Sequence, residues 1–165
     1  MFQLIAWSII LGKNSKKMND LTKFDIADLL PHRPPFVFVD KILQADENSV
    51  TTSKIFDEKE EYFKGHFPGN PIVPGVLLIE SMAQTAGIAT SSTLTSEKKS
   101  KENSAVFYLS RVMDMKFKAP VFPGQEVQST ANVIASYGNM VKVSVESKVG
   151  ETTVAKGEFA LSRKT

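Results

Sequence analysis

From residue 75 to about 93 the chain reads GVLLIESMAQTAGIATSST, apolar nearly all round rather than along one stripe. That pattern predicts a helix buried on most of its sides. Pro74 and Gly75 mark its start, and Ala83, Ala86, Gly87 and Ala89 are small enough to let strands pack close. On either side the pattern turns to β. Residues 36–43 (FVFVDKIL) and 50–57 (VTTSKIFD) have the β-branched and aromatic content of strands, joined by a polar turn at 44–49, with Lys41 near an exposed end. Beyond a polar segment at 91–104, read as a solvated loop with Lys98, Lys99 and Lys101, strand composition recurs at 105–112, 115–121, 126–136, 140–149 and 153–162. Tyr137-Gly138-Asn139 and Gly150-Glu151 are breaks suited to hairpins. Upstream, residues 24–30 form a short amphipathic helix ended by Pro31, and PHRPP at 31–35 is an extended arm. With no repeat, low-complexity stretch or linker, the pattern predicts one α+β domain. About six or seven antiparallel strands would form a curved sheet wrapped around one long central helix.

Composition narrows this. At 165 residues, 42% hydrophobic and 23% charged, the chain is an ordinary globular domain. The absence of Cys excludes disulfides, thiolate nucleophiles and cysteine metal sites, and suits a reducing compartment, so a cytoplasmic location is expected. Two histidines make a poor metal site, and none is expected. The first twelve residues, MFQLIAWSIILG, are apolar but shorter than the roughly 18–20 residues that cross a bilayer, and they lack a basic leading region and a small-residue cleavage site. Met18 then opens a polar segment that looks like a normal start. Residues 1–17 are therefore expected to be an extension or a misassigned start, residues 18–165 the domain, and no stable membrane insertion is expected. Lys13, Lys16 and Lys17 stand in that leader with no acid, so without them the net charge falls from +2 to −1. Nucleic-acid binding thereby loses its compositional support.

The chemistry concentrates at 65–80, GHFPGNPIVPGVLLIE, where three prolines and three glycines within eleven residues stiffen a loop that can aim a side chain. Glu80 lies inside the apolar helix among Val76, Leu77, Ile79 and Ala83, where a carboxylate needs a partner. Gln84, one turn on, is placed to supply it. Desolvation there would suit a group that donates a proton and takes it back; a solvent-facing position is the bland alternative. His66 alone would be read as structural. Its company reverses that: a histidine, a carboxylate and a helix N-terminus at Gly75, whose N–H groups can polarise a carbonyl, fall within sixteen residues. Base, acid and oxyanion site are the parts for proton abstraction beside a carbonyl. His32, between Pro31 and Arg33, reads as structural, and Phe36, Phe38, Phe56, Phe63 and Phe67 as core or interface residues, some able to line a lipid-sized tunnel.

Three motifs in order resemble the FabZ-type (3R)-hydroxyacyl-[acyl-carrier-protein] dehydratases of type II fatty-acid synthesis, which have the hot-dog fold. They are LLPHRPPF at 29–36 with Val39 and Asp40, GHFPGNPIVPGVL at 65–77 with Glu80, Ala83 and Gln84, and KFKAPVFPG at 116–124. The resemblance implies that His66 removes the C2 proton of a 3-hydroxyacyl thioester, that Glu80 helps the 3-hydroxyl leave, and that the Gly75 N–H holds the thioester carbonyl. Phe67, Pro74 and Gln84 complete the implied substrate contacts. It further implies no cofactor beyond the phosphopantetheine arm of acyl carrier protein, and that carrier as a transient partner, for which Arg33, Arg111, Lys116 and Lys118 are candidate contacts. A homodimer is implied, with trimers of dimers (hexamers) known in the family, His66 and Glu80 of one site coming from different subunits. Gln125, where family members commonly have Asp, and Met113, where they have an acid, depart from the pattern away from the proposed chemistry. The rivals are a hot-dog thioesterase or isomerising dehydratase, and a non-catalytic acyl-binding module, which would need neither His66 nor Glu80.

Overall fold

A computed structural model describes residues 21–94 and 106–163, with helix side chains described as far as Ser91. The expected leader at 1–17 and Lys98, Lys99 and Lys101 lie outside the described residues. Asp25 caps a single helical turn, α1 (Ile26–Leu29), by accepting from Ala27 N–H at 3.0 Å, and a 3-10 turn at Leu21–Lys23 precedes it. The helix is shorter than residues 24–30 because Asp25 takes the cap and Leu30 is already extended before Pro31.

Six strands form one antiparallel sheet: β1 (Lys41–Ala45), β2 (Ser49–Ile55), β3 (Phe107–Phe117), β4 (Glu126–Tyr137), β5 (Met140–Val149) and β6 (Thr152–Arg163), in the order β1-β2-β4-β5-β6-β3. The sheet curves around the long central helix α2 (Gly75–Leu94), which is the hot-dog architecture. Gly138 and Gly150 turn the two hairpins β4–β5 and β5–β6 with φ of 58° and 55°, a region open to glycine. Met82, Ala86, Ile88 and Ala89 of α2 are fully buried against Val50, Ala131, Val143 and Phe159 of the sheet.

Two expectations about strands are corrected. The first strand begins at Lys41 rather than at residue 36, because residues 36–38 spend their backbone groups on the helix. Phe38 N–H donates to Gln84 Oε1 at 2.8 Å, Phe38 C=O accepts from Ser81 Oγ at 2.8 Å, and Phe36 C=O accepts from Gln84 Nε2 at 3.2 Å. Side chains of α2 thus replace a neighbouring strand. The second correction is that 105–112 and 115–121 are not two strands. They merge into β3, whose pairing with β6 shifts register between Met113 and Lys116, where Asp114 takes φ of 50°. Residues 118–121 fall outside it, and Val121 C=O instead accepts from Val73 N–H at 2.8 Å.

Val73 and Val121 belong to a second apolar cluster with Phe38, Phe56, Phe63, Leu78, Val127 and Val154. That cluster fastens the loop before α2 to the sheet and so fixes what the loop carries.

Candidate active site

Residues 65–74 are held at both ends. Tyr62 C=O accepts from the N–H groups of Gly65 and His66 at 3.1 and 2.9 Å, His66 C=O accepts from Ile72 N–H at 3.0 Å, and Phe67 C=O accepts from Asn70 N–H at 3.0 Å. The His66–Phe67 peptide is cis, and the half-buried His66 ring stacks on that of Phe67, centroids 4.0 Å apart. Its Nδ1 lies 3.0 Å from Ile72 C=O. A carbonyl only accepts, so Nδ1 carries a proton, and in the neutral ring the lone pair is then on Nε2. That is the tautomer a general base needs.

Pro74 C=O closes the first turn of α2 by accepting from Leu77 N–H at 2.9 Å and Leu78 N–H at 3.3 Å. The Gly75 N–H lies before those positions, among the helix-start donors that have no partner within the helix. A Cβ at Gly75 would stand 2.9 Å from Phe117 Cζ, so glycine is what lets that ring close over the helix start. Glu80 follows one and a half turns on, 24% exposed at its side chain. The expected partner is present: Gln84 Nε2 donates to Glu80 Oε1 at 2.9 Å. Gln84 itself is 1% exposed and held by the backbone of residues 36 and 38, so its amide is a fixed donor.

Glu80 lines a cavity of about 180 Å³ with Gln84, His32, Leu29, Ala83 and Leu161. His66 is not among the lining residues. Within one chain the two groups are employed separately, His66 on Ile72 and Glu80 on Gln84.

The FabA-like domain pattern matches residues 30–158, from the arm to β6. Over 154 residues the chain is 36% identical to a 3-hydroxyacyl-[acyl-carrier-protein] dehydratase FabZ of Caulobacter vibrioides (strain NA1000 / CB15N), covering 91% of this chain and 94% of that one. A FabZ of Lactococcus lactis subsp. lactis (strain IL1403) is 37% identical over 141 residues, covering 84% and 94%. The chain belongs to the FabA-like family as a FabZ-type dehydratase. Among solved structures, the dehydratase heterocomplex ApeI:P from Xenorhabdus doucetiae shares the fold, with a TM-score of 0.72 at 15% identity over 86% of this chain and 92% of that one.

Three further placements in this FabZ-type dehydratase bear on the site. His32, read from sequence as structural, has its Nε2 3.7 Å from Glu80 Oε1. Of the basic candidates, Arg111, Lys116 and Lys118 are exposed on and just after β3, whereas Arg33 Nη1 folds back onto the carbonyls of Leu30 and His32 at 2.9 and 2.7 Å. Gln125 closes the turn of the third motif, its Oε1 accepting from Phe122 N–H at 2.8 Å, a contact that a carboxylate could also make.

Proposed function

We propose that the dehydratase acts reversibly on (3R)-3-hydroxyacyl chains carried by the phosphopantetheine arm of acyl carrier protein, giving trans-2-enoyl chains and water in fatty-acid synthesis. His66 Nε2 takes the C2 proton, the electron pair forms the C2–C3 double bond, and the 3-hydroxyl leaves as water with a proton from Glu80. The Gly75 N–H polarises the thioester carbonyl while charge develops on it, and Phe67, Pro74 and Gln84 line the substrate's path. Two observations support this reading: a histidine whose Nδ1 is engaged by Ile72 C=O on the loop before α2, and a carboxylate bonded to Gln84 beside an apolar cavity. General acid–base catalysis contributes about 10²–10⁴-fold, and one oriented oxyanion donor about 10²–10³-fold.

The working unit in this reading is a homodimer whose sites each take His66 from one protomer and Glu80 from the other. The separate employment of the two groups within one chain supports it, as does β3, which among the described residues pairs with β6 alone and exposes Tyr108, Leu109 and Val112. The exposed Arg111, Lys116 and Lys118 are the contacts offered to the acidic carrier.

The test is hydration of a crotonyl thioester followed by loss of the enoyl absorbance. Wild type turns over, and His66→Ala and Glu80→Gln each lose at least about 10²-fold. A His66→Ala protein near the wild-type rate refutes the site assignment. Release of free thiol instead of loss of absorbance points to a thioesterase, and an inert wild type at several chain lengths to a binding module.

A further inference from the structure

We infer that His32 is a positioning residue for Glu80, so that one carboxylate oxygen is held and the other is left for substrate; the inference rests on Glu80 being the acid of the proposed reaction. The polar partners of Glu80 among the described residues both face Oε1: Gln84 Nε2 at 2.9 Å and His32 Nε2 at 3.7 Å. Among the described residues, none hydrogen-bonds to Oε2. The His32 distance is too long for a hydrogen bond, and what acts across it is a longer-range electrostatic attraction.

The tautomer follows from burial. His32 Nδ1 is buried and, among the described residues, has no hydrogen-bond partner. A proton on Nδ1 would be an unsatisfied buried donor, whereas a proton on Nε2 faces a carboxylate. The imidazole therefore turns its N–H to Glu80. Its frame is rigid: Arg33 Nη1 clamps the carbonyls on either side of Pro31, and the His32 ring packs against Phe36, centroids 6.1 Å apart. Phe36 C=O is bonded in turn to Gln84. One amide therefore orients Glu80 directly and also secures the arm that brings His32 to the same oxygen. Tyr108 is the other titratable group lining this cavity.

The Gln84 hydrogen bond and the longer-range attraction of His32 both act on Oε1, so turning the carboxyl group about its terminal bond forfeits both. Oε2 is then the oxygen that meets the 3-hydroxyl. An acid fixed this way loses kcat rather than substrate affinity when its support is removed.

The experiment compares His32→Ala, His32→Phe and His32→Gln in the full chain, alone and with Glu80→Gln. His32→Ala and His32→Phe are expected to lower kcat about tenfold with KM within about twofold, and His32→Gln, which keeps an N–H near the Nε2 position, to restore most of the rate. His32→Phe keeps the ring contact with Phe36, so a packing role alone would leave it near wild type and overturn the inference. In the Glu80→Gln background, His32→Ala should have no further effect. A readout independent of turnover is available because the chain has two histidines. Glu80→Gln should move the imidazole NMR signals that His32→Ala removes, and unmoved signals overturn the contact. If Glu80→Gln loses rate while His32→Ala does not, positioning fails and the acid assignment stands. If Glu80→Gln turns over at the wild-type rate, both fail, since His32 then has no acid to orient.

Discussion

Gln84 holds Glu80 with the same amide that holds the backbone of residues 36 and 38, at distances of 2.8 to 3.2 Å for the arm and 2.9 Å for the carboxylate. Replacing it with Met, similar in length and apolar, strands the buried Phe38 N–H, while the carbonyl of the half-exposed Phe36 can turn to water. The expected loss is about 1–3 kcal/mol of stability, the cost of one unsatisfied buried group. Urea unfolding of Gln84→Met checks it, with the midpoint falling at an unchanged slope.

Thr52 on β2 and Thr85 on α2 tie sheet to helix through hydroxyls 2.7 Å apart, and Thr85 Oγ1 donates onward to Ser81 C=O at 2.9 Å. Thr85→Val leaves the buried Thr52 hydroxyl without its acceptor and should cost about 1–2 kcal/mol. Thr52→Val with Thr85→Val should cost no more than that single change, because the stranded hydroxyl is gone as well. A double-mutant cycle of unfolding free energies reads the coupling.

Gly157 on β6 faces the bulge of β3, where a Cβ would meet Met113 O and Met115 Cα at 3.0 Å. Backbone on both counts cannot be pushed aside as a side-chain tip can. Gly157→Ala should therefore lose about 1–3 kcal/mol, the usual range for overpacking, seen as a lower thermal midpoint.

Burial, with the charges of Glu60 and Asp57 adding to it, raises the Tyr62 phenol from 10.0 to about 12. The folded state thus holds a proton that the unfolded chain gives up first. The stabilisation is complete below about pH 10 and is lost as pH rises through about 12, amounting to about 1 kcal/mol once solvent screening is allowed for. The Tyr62 hydroxyl is buried and has no hydrogen-bond partner among the described residues. Tyr62→Phe should consequently keep or slightly raise stability at pH 7 and flatten the decline between pH 10 and 12, as measured by denaturation across that range.

The features readable in the sequence were those set by local rules. The all-round apolar run became α2, Gly138 and Gly150 turned hairpins where turn residues stood, and Gln84 met Glu80 at one-turn spacing. Features set by distant partners were not readable. FVFVD has the content of a strand, yet its backbone is claimed by Ser81 and Gln84 more than 40 positions away. The break read at 113–114 is a bulge at the left-handed Asp114 that one strand runs through, because pairing with β6 resumes beyond it. His32 lies far from Glu80 in sequence, and only the folding of the arm over α2 brings the two together.

Because Gln84 grips residues 36 and 38 through main-chain atoms, this attachment does not read their side chains. Almost any amino acid there offers the same N–H and C=O. Sequence drift at 36 can then proceed without loosening the grip of Gln84, at the cost only of the ring contact with His32, whereas position 84 must keep a group that both donates and accepts. Among homologous chains, variability at 36 should therefore exceed that at 84.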